Sequence, residues 1–298
     1  MQKKALLLVN PNAGRKTIRT KLLEVIYVLK HGGYDTVTYP TEFAGEIPSY
    51  LKEELCRSRY DLVVTVGGDG TLNETITGLL NAESTVPLGY IPAGTVNDFA
   101  VAHGIPRDTM KAADKIVHGV PTPCDVARFG TDRYFTYVAA FGVFTGVSYQ
   151  TPQQSKNLLG RTAYFLEALK ELPGVHDFDV EIEADGVYLH DRYIYGMISN
   201  TLTVGGVLKL KEKQRVELDD GLHEVLLIRA PKNLGELHEI VNSLLRNDFS
   251  NEYIVTFKTA ELRVKTEETL TWSLDGEYGG ATTDVRIKNL HKALNLIA

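Results

Sequence analysis

Cysteine is scarce in this 298-residue sequence, basic residues do not predominate, and long apolar runs are missing. Cys56 and Cys124 are far apart and lack the paired spacing of a zinc site or a disulfide framework, so a reducing, cytoplasmic setting is expected. No run approaches the roughly 18 apolar residues of a membrane-spanning helix, so any membrane contact is expected to be peripheral. The sequence contains 32 Lys and Arg and 38 Asp and Glu, which give a net charge of -6. Nucleic acid is therefore not an expected partner.

The eight histidines are scattered along the chain. They do not show the His-x-x-x-His spacing of a zinc site, and the sequence has no Gly-x-Ser-x-Gly nucleophile turn. Zinc chemistry and serine-hydrolase chemistry therefore have little support.

Short apolar runs alternate with helical patterns between residues 4 and 125, which predicts a parallel α/β sheet. The expected strands cover residues 4–9, 61–66 and 88–91, and the expected helices lie near residues 15–31 and 72–80. A single hydrophobic core stops growing at about the length of this chain, so two domains are expected. We predict that the first is a three-layer α/β nucleotide-binding domain over residues 1–129.

After about residue 130 the apolar pattern changes to period two, as in Val180 to Glu183, and Asp185-Gly186 then predicts a hairpin turn. This pattern predicts an antiparallel β-sandwich domain over residues 130–283. Further strands are expected at residues 134–144, 187–195, 222–228, 253–258, 261–265 and 269–274, and helices near residues 157–171 and 233–247. Residues 284–298 are expected to return to the first domain.

The segment from Gly67 to Thr71 carries the clearest chemical pattern. It follows an apolar strand, and Leu72 and Asn73 then open a helix. Glycines let backbone N–H groups approach an anion, and a helix N-terminus favours negative charge, so the segment is typical of a phosphate site. Asp69 would be repelled by phosphate unless it holds magnesium or accepts a proton, which indicates chemistry as well as binding. The alternative is a Gly-rich turn with Asp69 in solvent.

Two further strands end in small-residue loops at the same edge of the predicted sheet. Asn10 to Gly14 follows the first strand but lacks the glycine and lysine spacing of a P-loop, so an Asn/Pro turn is the alternative. Pro92 to Thr95 follows a later strand, and Asn97 or Asp98 could simply cap the next helix. Ligands of open α/β sheets bind beyond the carboxyl ends of the strands, which favours a shared nucleotide site that includes Thr41.

Four segments together resemble the bacterial diacylglycerol kinase family, which is related to sphingosine and ceramide kinases and more distantly to NAD kinases and phosphofructokinases. They are Asn10 to Gly14, Gly67 to Thr71 with Asn73-Glu74, Pro92 to Thr95 with Asn97-Asp98, and Asp275-Gly276-Glu277. The resemblance covers nearly the whole chain. It implies an α/β domain of the NAD kinase and phosphofructokinase type, a β-sandwich domain, and a nucleotide bound between them.

By this resemblance, ATP and magnesium are the cofactors, and Asp69 organises the magnesium. Glu277 is implied to be the catalytic base that removes a proton from a lipid hydroxyl. A hairpin turn is the alternative explanation of Asp275-Gly276-Glu277. The residues implied to contact ATP are Asn10, Pro11, Asn12, Ala13, Gly14, Thr41, Gly67, Gly68, Asp69, Gly70, Thr71, Leu72, Asn73 and Thr95.

The resemblance also implies a structural magnesium site near Asp219-Asp220-Gly221. Asp220 is its side-chain ligand, and Glu217 and Leu222 supply main-chain oxygen, which suits a hard cation. A simple Asp-Gly turn is the alternative. The segment Leu208 to Lys213 departs from the proline-containing stretch of the family, which argues against occupancy by a metal.

Three other features admit either a functional or a structural role. The resemblance implies a charge network between domains that includes Asp125 and Asp98, with ordinary loop carboxylates as the alternative. Alternating basic residues would share one face of an extended segment and could meet anionic lipid, or could protect an edge strand. The basic residues are Lys209, Lys211, Lys213 and Arg215. An aromatic group could line an acyl groove, or pack in the core. It consists of Tyr134, Phe135, Tyr137, Phe141 and Phe144.

The resulting expectation is a soluble, ATP- and magnesium-dependent kinase that phosphorylates a lipid alcohol, with diacylglycerol as the first candidate. A sphingoid or another glycerolipid is the nearest alternative acceptor, and NAD is a more distant one. A nucleotide-binding regulator without catalysis is an alternative of another class, against which Asp69 and Glu277 count. The expected partners are the lipid substrate, a membrane surface contacted transiently from the cytoplasm, and a second copy of the chain in a homodimer.

Overall fold

The computed structural model describes residues 2–14, 18–143, 176–200, 203–204, 208–209, 219–246 and 248–298. The chain forms two compact units, one of Met1–Val126 with His291–Ala298 and one of Ala127–Leu290. The boundaries expected from the sequence pattern were residues 129 and 284. None of the described helices has the length and apolar character needed to span a membrane.

The first unit contains a parallel sheet and the helices that connect its strands. Its elements in chain order are β1 (Lys3–Val9), α1 (Ile18–His31), β2 (Tyr34–Pro40), α2 (Ile47–Arg57), β3 (Leu62–Gly67), α3 (Asp69–Asn81), β4 (Leu88–Pro92), α4 (Asp98–Ala102), α5 (Thr109–His118) and β5 (Thr122–Phe129), whose last residues belong to the second unit.

The strands of this sheet pair in parallel in the order β2-β1-β3-β4. β3 is buried along its whole length, and β1 is buried from Ala5 to Val9, as expected of parallel strands that are covered on both faces. Val9 lies opposite Val66 of β3, and Gly67 lies opposite Pro92 of β4. The carboxyl ends of β1, β3 and β4 are therefore aligned at one edge of the sheet.

The second unit is mostly antiparallel. Its elements in chain order are β6 (Arg133–Phe135), β7 (Val138–Gly142), β8 (Phe178–Ala184), β9 (Val187–Ser199), β10 (Thr203–Val204), β11 (Leu208–Lys209), β12 (His223–Arg229), α6 (Leu234–Arg246), β13 (Ile254–Thr259), β14 (Glu261–Leu274) and β15 (Glu277–Ile297), which ends in the first unit. Neighbouring strands follow the order β13-β12-β9-β7-β14-β15, and β8 pairs with both β9 and β14.

Two apolar clusters support the second unit. One surrounds Trp272 and Phe141, whose rings lie 5.0 Å apart in an edge-to-face contact. The other packs Ile240 and Leu244 of α6 against β9 and β12. Phe135 is also fully buried in the first cluster, so this ring and that of Phe141 stabilise the core. Among the other aromatic residues considered for an acyl groove, Phe144 lies outside the described residues.

Several expected elements differ from those observed. The helix expected near residue 72 begins at Asp69, because Gly68 is its N-cap. The strand expected over residues 134–144 is divided into β6 and β7, since backbone N–H groups of residues 136–138 donate to the Asp275 side chain. The two strands expected between residues 261 and 274 form the single strand β14, which is irregular between Lys265 and Leu270. The helix expected near residues 157–171 lies outside the described residues.

The last strand completes the parallel sheet of the first unit. Leu296 and Ile297 of β15 pair in parallel with Leu88 and Gly89 of β4. The C-terminal residues of the chain are thus part of the same sheet as its N-terminal strand.

Candidate functional site

Three loops of the first unit, which follow β1, β3 and β4, approach one another through glycine backbone. A Cβ atom at Gly94 would lie 2.6 Å from the Cα of Gly68 and 2.7 Å from Oδ1 of Asn97, closer than packed atoms come. A Cβ atom at Gly14, whose φ is +52°, would collide with the carbonyl oxygen of Ala93. Both positions therefore require glycine, and the three loops predicted to form one site do lie together.

The first turn of α3 has open space beside it. Its N-cap is Gly68, which has no side chain to accept the N–H groups of the turn. A Cβ atom at Gly70 would meet nothing within 4 Å besides its chain neighbours and the backbone of its own helix. Exposed N–H groups and the helix dipole favour an anion at such a position, so this turn is suited to phosphate.

Asn10 connects the loop after β1 to the same helical turn. Its Nδ2 donates to Oγ1 of Thr71 at 3.0 Å, and its Oδ1 accepts the N–H of Asn12 at 2.9 Å. On the inner side of the site, Ala13 and Leu72 are buried. Asn10 therefore positions two of the predicted loops relative to each other.

Arg19 was missed by the sequence interpretation, although it holds the loop after β1. Its Nε donates to the carbonyl oxygen of Pro11 at 3.0 Å, and its guanidinium also donates to Oδ1 of Asn12 at 2.9 Å. Arg19 lies in the first turn of α1, and the intervening residues 15–17 are outside the described residues. Asn73, on α3, is half-buried.

The loop after β4 is closed by Asn97, which has left-handed backbone angles with φ of 55°. Its Oδ1 accepts the N–H of Gly94 at 3.0 Å, and its Nδ2 donates to the Gly94 carbonyl at 2.9 Å. The hydroxyl of Tyr90 donates to the same Oδ1 at 3.3 Å and to the carbonyl of Gly67 at 3.2 Å. Asn97 thus holds the turn that leaves Thr95 exposed, and its side chain does not cap α4.

Tyr90 was also missed, because it lies inside an apolar strand pattern. Burial raises the pKa of its hydroxyl, and the charge of Asp69 adds to this effect. The hydroxyl therefore stays protonated and can donate in the contacts that join β3 to the third loop.

Asp69 connects the second loop to the third. Its two carboxylate oxygens accept the N–H groups of Asp98 and Phe99 at 3.2 and 3.4 Å. The carboxylate therefore lies at the N-terminus of α4 while its backbone opens α3. The Asp69 carboxylate therefore has a structural role. It also brings a hard oxygen ligand close to the first turn of α3, which is suited to bind phosphate.

Thr41 lies at the same edge. Its N–H donates to the carbonyl of Val9 at 2.8 Å, which continues the pairing of β2 with β1. The buried carboxylate of Glu46 accepts the Tyr39 hydroxyl at 3.0 Å and the N–H of Phe43 at 3.2 Å. Burial, then the hydrogen bond to Glu46, raises the pKa of Tyr39 to about 12. Glu46, which the sequence interpretation did not select, thus shapes the loop after Thr41.

Glu277 is the first residue of β15 and is exposed. It pairs with Leu274 across a two-residue turn in which Asp275 and Gly276 have φ of 50° and 82°. Positive φ at both positions is typical of a type I′ hairpin turn. The hairpin alternative is therefore correct as a description of the backbone, and it does not exclude a chemical role for Glu277.

Asp275 fastens this turn to the break between β6 and β7. One carboxylate oxygen accepts the N–H and hydroxyl of Thr136 at 2.7 and 2.9 Å, and the other accepts the N–H groups of Tyr137 and Val138 at 2.9 and 3.0 Å. Burial raises the pKa of this carboxyl, against the lowering effect of the donors. Sequence reasoning missed Asp275 as a positioning residue, because its partners are more than 130 residues away in the chain.

The predicted structural metal site is only partly within the described residues, since Glu217 lies outside them. Oδ1 of Asp220 accepts the N–H of Leu222 at 2.9 Å, and Oδ2 lies 3.1 Å from Nζ of Lys258. The carbonyl of Leu222 accepts Nδ2 of Asn289 at 3.2 Å. Within the described parts of the chain, no group of three or more His, Cys, Asp or Glu is arranged to hold a metal ion. The Asp220 and Leu222 oxygens thus contact protein donors, and the metal site implied by the resemblance stays a prediction.

Asp125 is buried in the first unit, where its Oδ1 accepts the N–H of Lys292 at 2.8 Å. Lys292 has a φ of 53°, so this contact supports a left-handed position in β15. The predicted charge network between domains stays a prediction for Asp125 and Asp98. Of the basic residues considered for lipid contact, the side chain of Lys209 and the whole of Lys211, Lys213 and Arg215 lie outside the described residues.

Two family models together match most of the chain. The diacylglycerol kinase catalytic domain matches residues 4–129, and the YegS C-terminal NAD kinase beta sandwich-like domain matches residues 138–298. The fold predicted from the sequence, an α/β domain followed by a β-sandwich domain, is confirmed.

Curated relatives and solved structures agree with these matches. A diacylglycerol kinase of Bacillus subtilis (strain 168) is 34% identical over 297 residues, which cover 99% of this chain and 96% of that protein. A diacylglycerol kinase of Staphylococcus aureus (strain Newman) is 32% identical over 299 residues, covering 100% and 93%. A crystal structure of a diacylglycerol kinase from Bacillus anthracis (strain Sterne) is 25% identical, covers 99% of this chain and 96% of that one, and has a TM-score of 0.75.

These matches also fix the general chemistry, because kinase domains of this kind imply the use of ATP and typically of a divalent metal. The resemblance stated from the sequence motifs is confirmed. The chain therefore belongs to the bacterial diacylglycerol kinase family of lipid kinases, which are phosphotransferases with an alcohol acceptor.

Proposed function

We propose that this lipid kinase transfers the γ-phosphoryl group of ATP, bound with Mg²⁺, to the hydroxyl of diacylglycerol, giving phosphatidate and ADP. The observation that carries the proposal is the close approach of three strand-end loops, through Gly14, Gly68 and Gly94, beside the open first turn of α3. Backbone donors at such an edge bind phosphate without repelling it, and they hold the reacting group in position.

Asp69 is assigned to the metal. Its carboxylate accepts N–H groups of α4 at 3.2 and 3.4 Å, which are long for hydrogen bonds to a charged acceptor. A carboxylate oxygen is a ligand that suits Mg²⁺, and the ion would neutralise charge on the phosphate oxygens. In this proposal, Asp69 holds the ion and also fixes the start of α4.

Glu277 is assigned as the general base. Its position after the Asp275-Gly276 turn leaves it exposed, while the Asp275 carboxylate holds the turn with hydrogen bonds to residues 136–138. Proton removal from the attacking hydroxyl is worth about 100- to 10,000-fold in rate. Asp69 and Glu277 belong to different units, and the proposal makes both necessary for one reaction.

The choice of diacylglycerol rests on the relatives named diacylglycerol kinase at 32–34% identity. It is tested by transfer of radiolabelled γ-phosphate from ATP to diacylglycerol in mixed micelles, with sphingosine, monoacylglycerol and NAD as parallel acceptors. The expected result is preferred labelling of diacylglycerol. Preferred labelling of another lipid would retain the kinase and change the acceptor, whereas preferred labelling of NAD would reject the lipid assignment.

The location of this substrate extends the proposal to the membrane. Diacylglycerol resides in a bilayer, so the protein would contact the membrane surface transiently and peripherally, from the cytoplasmic side. Flotation with vesicles that contain diacylglycerol, compared with vesicles that lack it, tests this contact. The homodimer expected from the sequence is tested by sedimentation velocity of the purified chain.

A further inference from the structure

Lys258 lies between two carboxylates in the second unit. It is on β13, directly opposite Glu224 of β12. Its Nζ is 3.0 Å from Oε1 of Glu224 and 3.1 Å from Oδ2 of Asp220. The Glu224 side chain is only 7% exposed and that of Asp220 only 18%. One ammonium group thus serves two shielded acidic side chains.

Burial makes this contact more important than an ordinary surface ion pair. A carboxylate that is removed from water needs a nearby positive charge, and taking the partner away leaves an uncompensated charge. In the described part of the chain, the ion pair of the Glu224 carboxylate is formed with Lys258. The ammonium of Lys258, in ion-pair contact with Oε1, therefore compensates its charge.

The same ammonium contacts Asp220, the residue that the family resemblance assigned as the side-chain ligand of a divalent cation. Oδ2 of Asp220 contacts Lys258, its Oδ1 accepts the N–H of Leu222, and the Leu222 carbonyl accepts Nδ2 of Asn289. A divalent ion would have to displace these donors and would be repelled by Lys258.

We propose that Lys258 is the built-in cation of this site, and that its ammonium replaces a structural metal ion in holding the segment from Asp220 to Glu224. The stability of the second unit is then independent of divalent metal. The metal requirement of the enzyme is confined to the nucleotide. This inference does not depend on the identity of the acceptor or on the role assigned to Glu277.

The test measures the thermal unfolding midpoint of the nucleotide-free full chain in EDTA and in millimolar Mg²⁺ or Ca²⁺. For the wild type, equal midpoints in EDTA and metal are expected. Lys258→Met should lower the midpoint by about 5 to 10 °C in EDTA, since two shielded carboxylates lose their counter-charge. Lys258→Arg, which keeps the charge, should lower it by much less and leave it insensitive to metal.

Lys265→Met is the matched control. The side chain of Lys265 is 32% exposed and that of Lys258 is 31% exposed. Nζ of Lys265 lies 2.7 Å from Oε1 of Glu183, whose side chain is 46% exposed. Its loss should change the midpoint by no more than about 2 °C, because exposed ion pairs contribute little. The proposal is overturned if the wild-type midpoint falls in EDTA and no longer does so in Asp220→Asn. Equal midpoints of Lys258→Met and Lys265→Met would also overturn it.

Discussion

Replacing Gly70 with Ala should strengthen the fold and weaken nucleotide binding at the same time. Gly70 is the second residue of α3, it is exposed, and a Cβ atom there meets nothing within 4 Å besides its chain neighbours and the backbone of its own helix. Alanine is preferred over glycine in a helix by about 0.5 to 1 kcal/mol, so the free energy of unfolding should rise by up to that amount. The new methyl group would occupy the space that we assign to phosphate.

The loss of ATP affinity can be set from the contacts at stake. A hydrogen bond between a backbone N–H and a charged phosphate oxygen contributes about 1.5 to 3 kcal/mol, and the methyl group should displace at least one. The dissociation constant for ATP should therefore rise by about 10- to 100-fold. Isothermal titration with Mg·ATP and denaturant unfolding, on the same preparation, measure the two effects.

Gly235→Ala supplies the control. Gly235 is likewise the second residue of a helix, α6, and is exposed. Its Cβ would lie 3.0 Å from Oδ1 of Asn233. This variant should keep the ATP affinity of the wild type. If Gly70→Ala also bound ATP with wild-type affinity, the open turn of α3 would not be the phosphate site, and the reasoning would be refuted.

Three further predictions concern Asp69, Asp275 and His103. Asp69→Asn should raise the Mg²⁺ concentration for half-maximal activity by about tenfold or more, in a metal titration of the kinase rate, because an amide is a weaker ligand than a carboxylate. Asp275→Asn tolerates a left-handed backbone but leaves two N–H or O–H donors without an acceptor; it should cost about 2 to 4 kcal/mol in denaturant unfolding and lower kcat more than it raises KM for ATP. Burial lowers the pKa of His103 from 6.5 to about 4, so the unfolded chain binds the proton first as pH falls. Between about pH 7 and pH 5 this group should remove roughly 2 kcal/mol of stability, and His103→Phe should remove that part of the pH dependence of unfolding.

Local patterns were sufficient for most of the fold. The buried strands β1, β3 and β4 are continuous apolar runs, and the strands on either side of Asp185-Gly186 alternate with period two. The loops that follow these parallel strands could be placed at one edge from the sequence pattern alone. The edge strand β2 has no comparable run, since its buried and exposed residues are mixed, and it was not anticipated.

Contacts between distant residues account for what the sequence did not predict. The Asp275 carboxylate separates β6 from β7, because it accepts hydrogen bonds from N–H groups more than 130 residues away in the chain. The local hydrophobic pattern does not predict these hydrogen bonds. The sequence pattern around Tyr90 indicates only an aromatic residue of a buried strand. It does not indicate the hydrogen bonds of the Tyr90 hydroxyl with the Gly67 carbonyl and Oδ1 of Asn97. Lys258 similarly has significance only through its opposite neighbour on β12.

The central claim is that Glu277 takes a proton from a lipid hydroxyl as that hydroxyl attacks ATP bound at the α3 edge. It is tested by comparing wild type and Glu277→Gln for label transfer from ATP to diacylglycerol and for ATP affinity. The account predicts a fall in transfer of at least about 100-fold with ATP affinity within about twofold of wild type. Transfer to diacylglycerol at a near-normal rate in Glu277→Gln, or its absence in the wild type, would contradict the account.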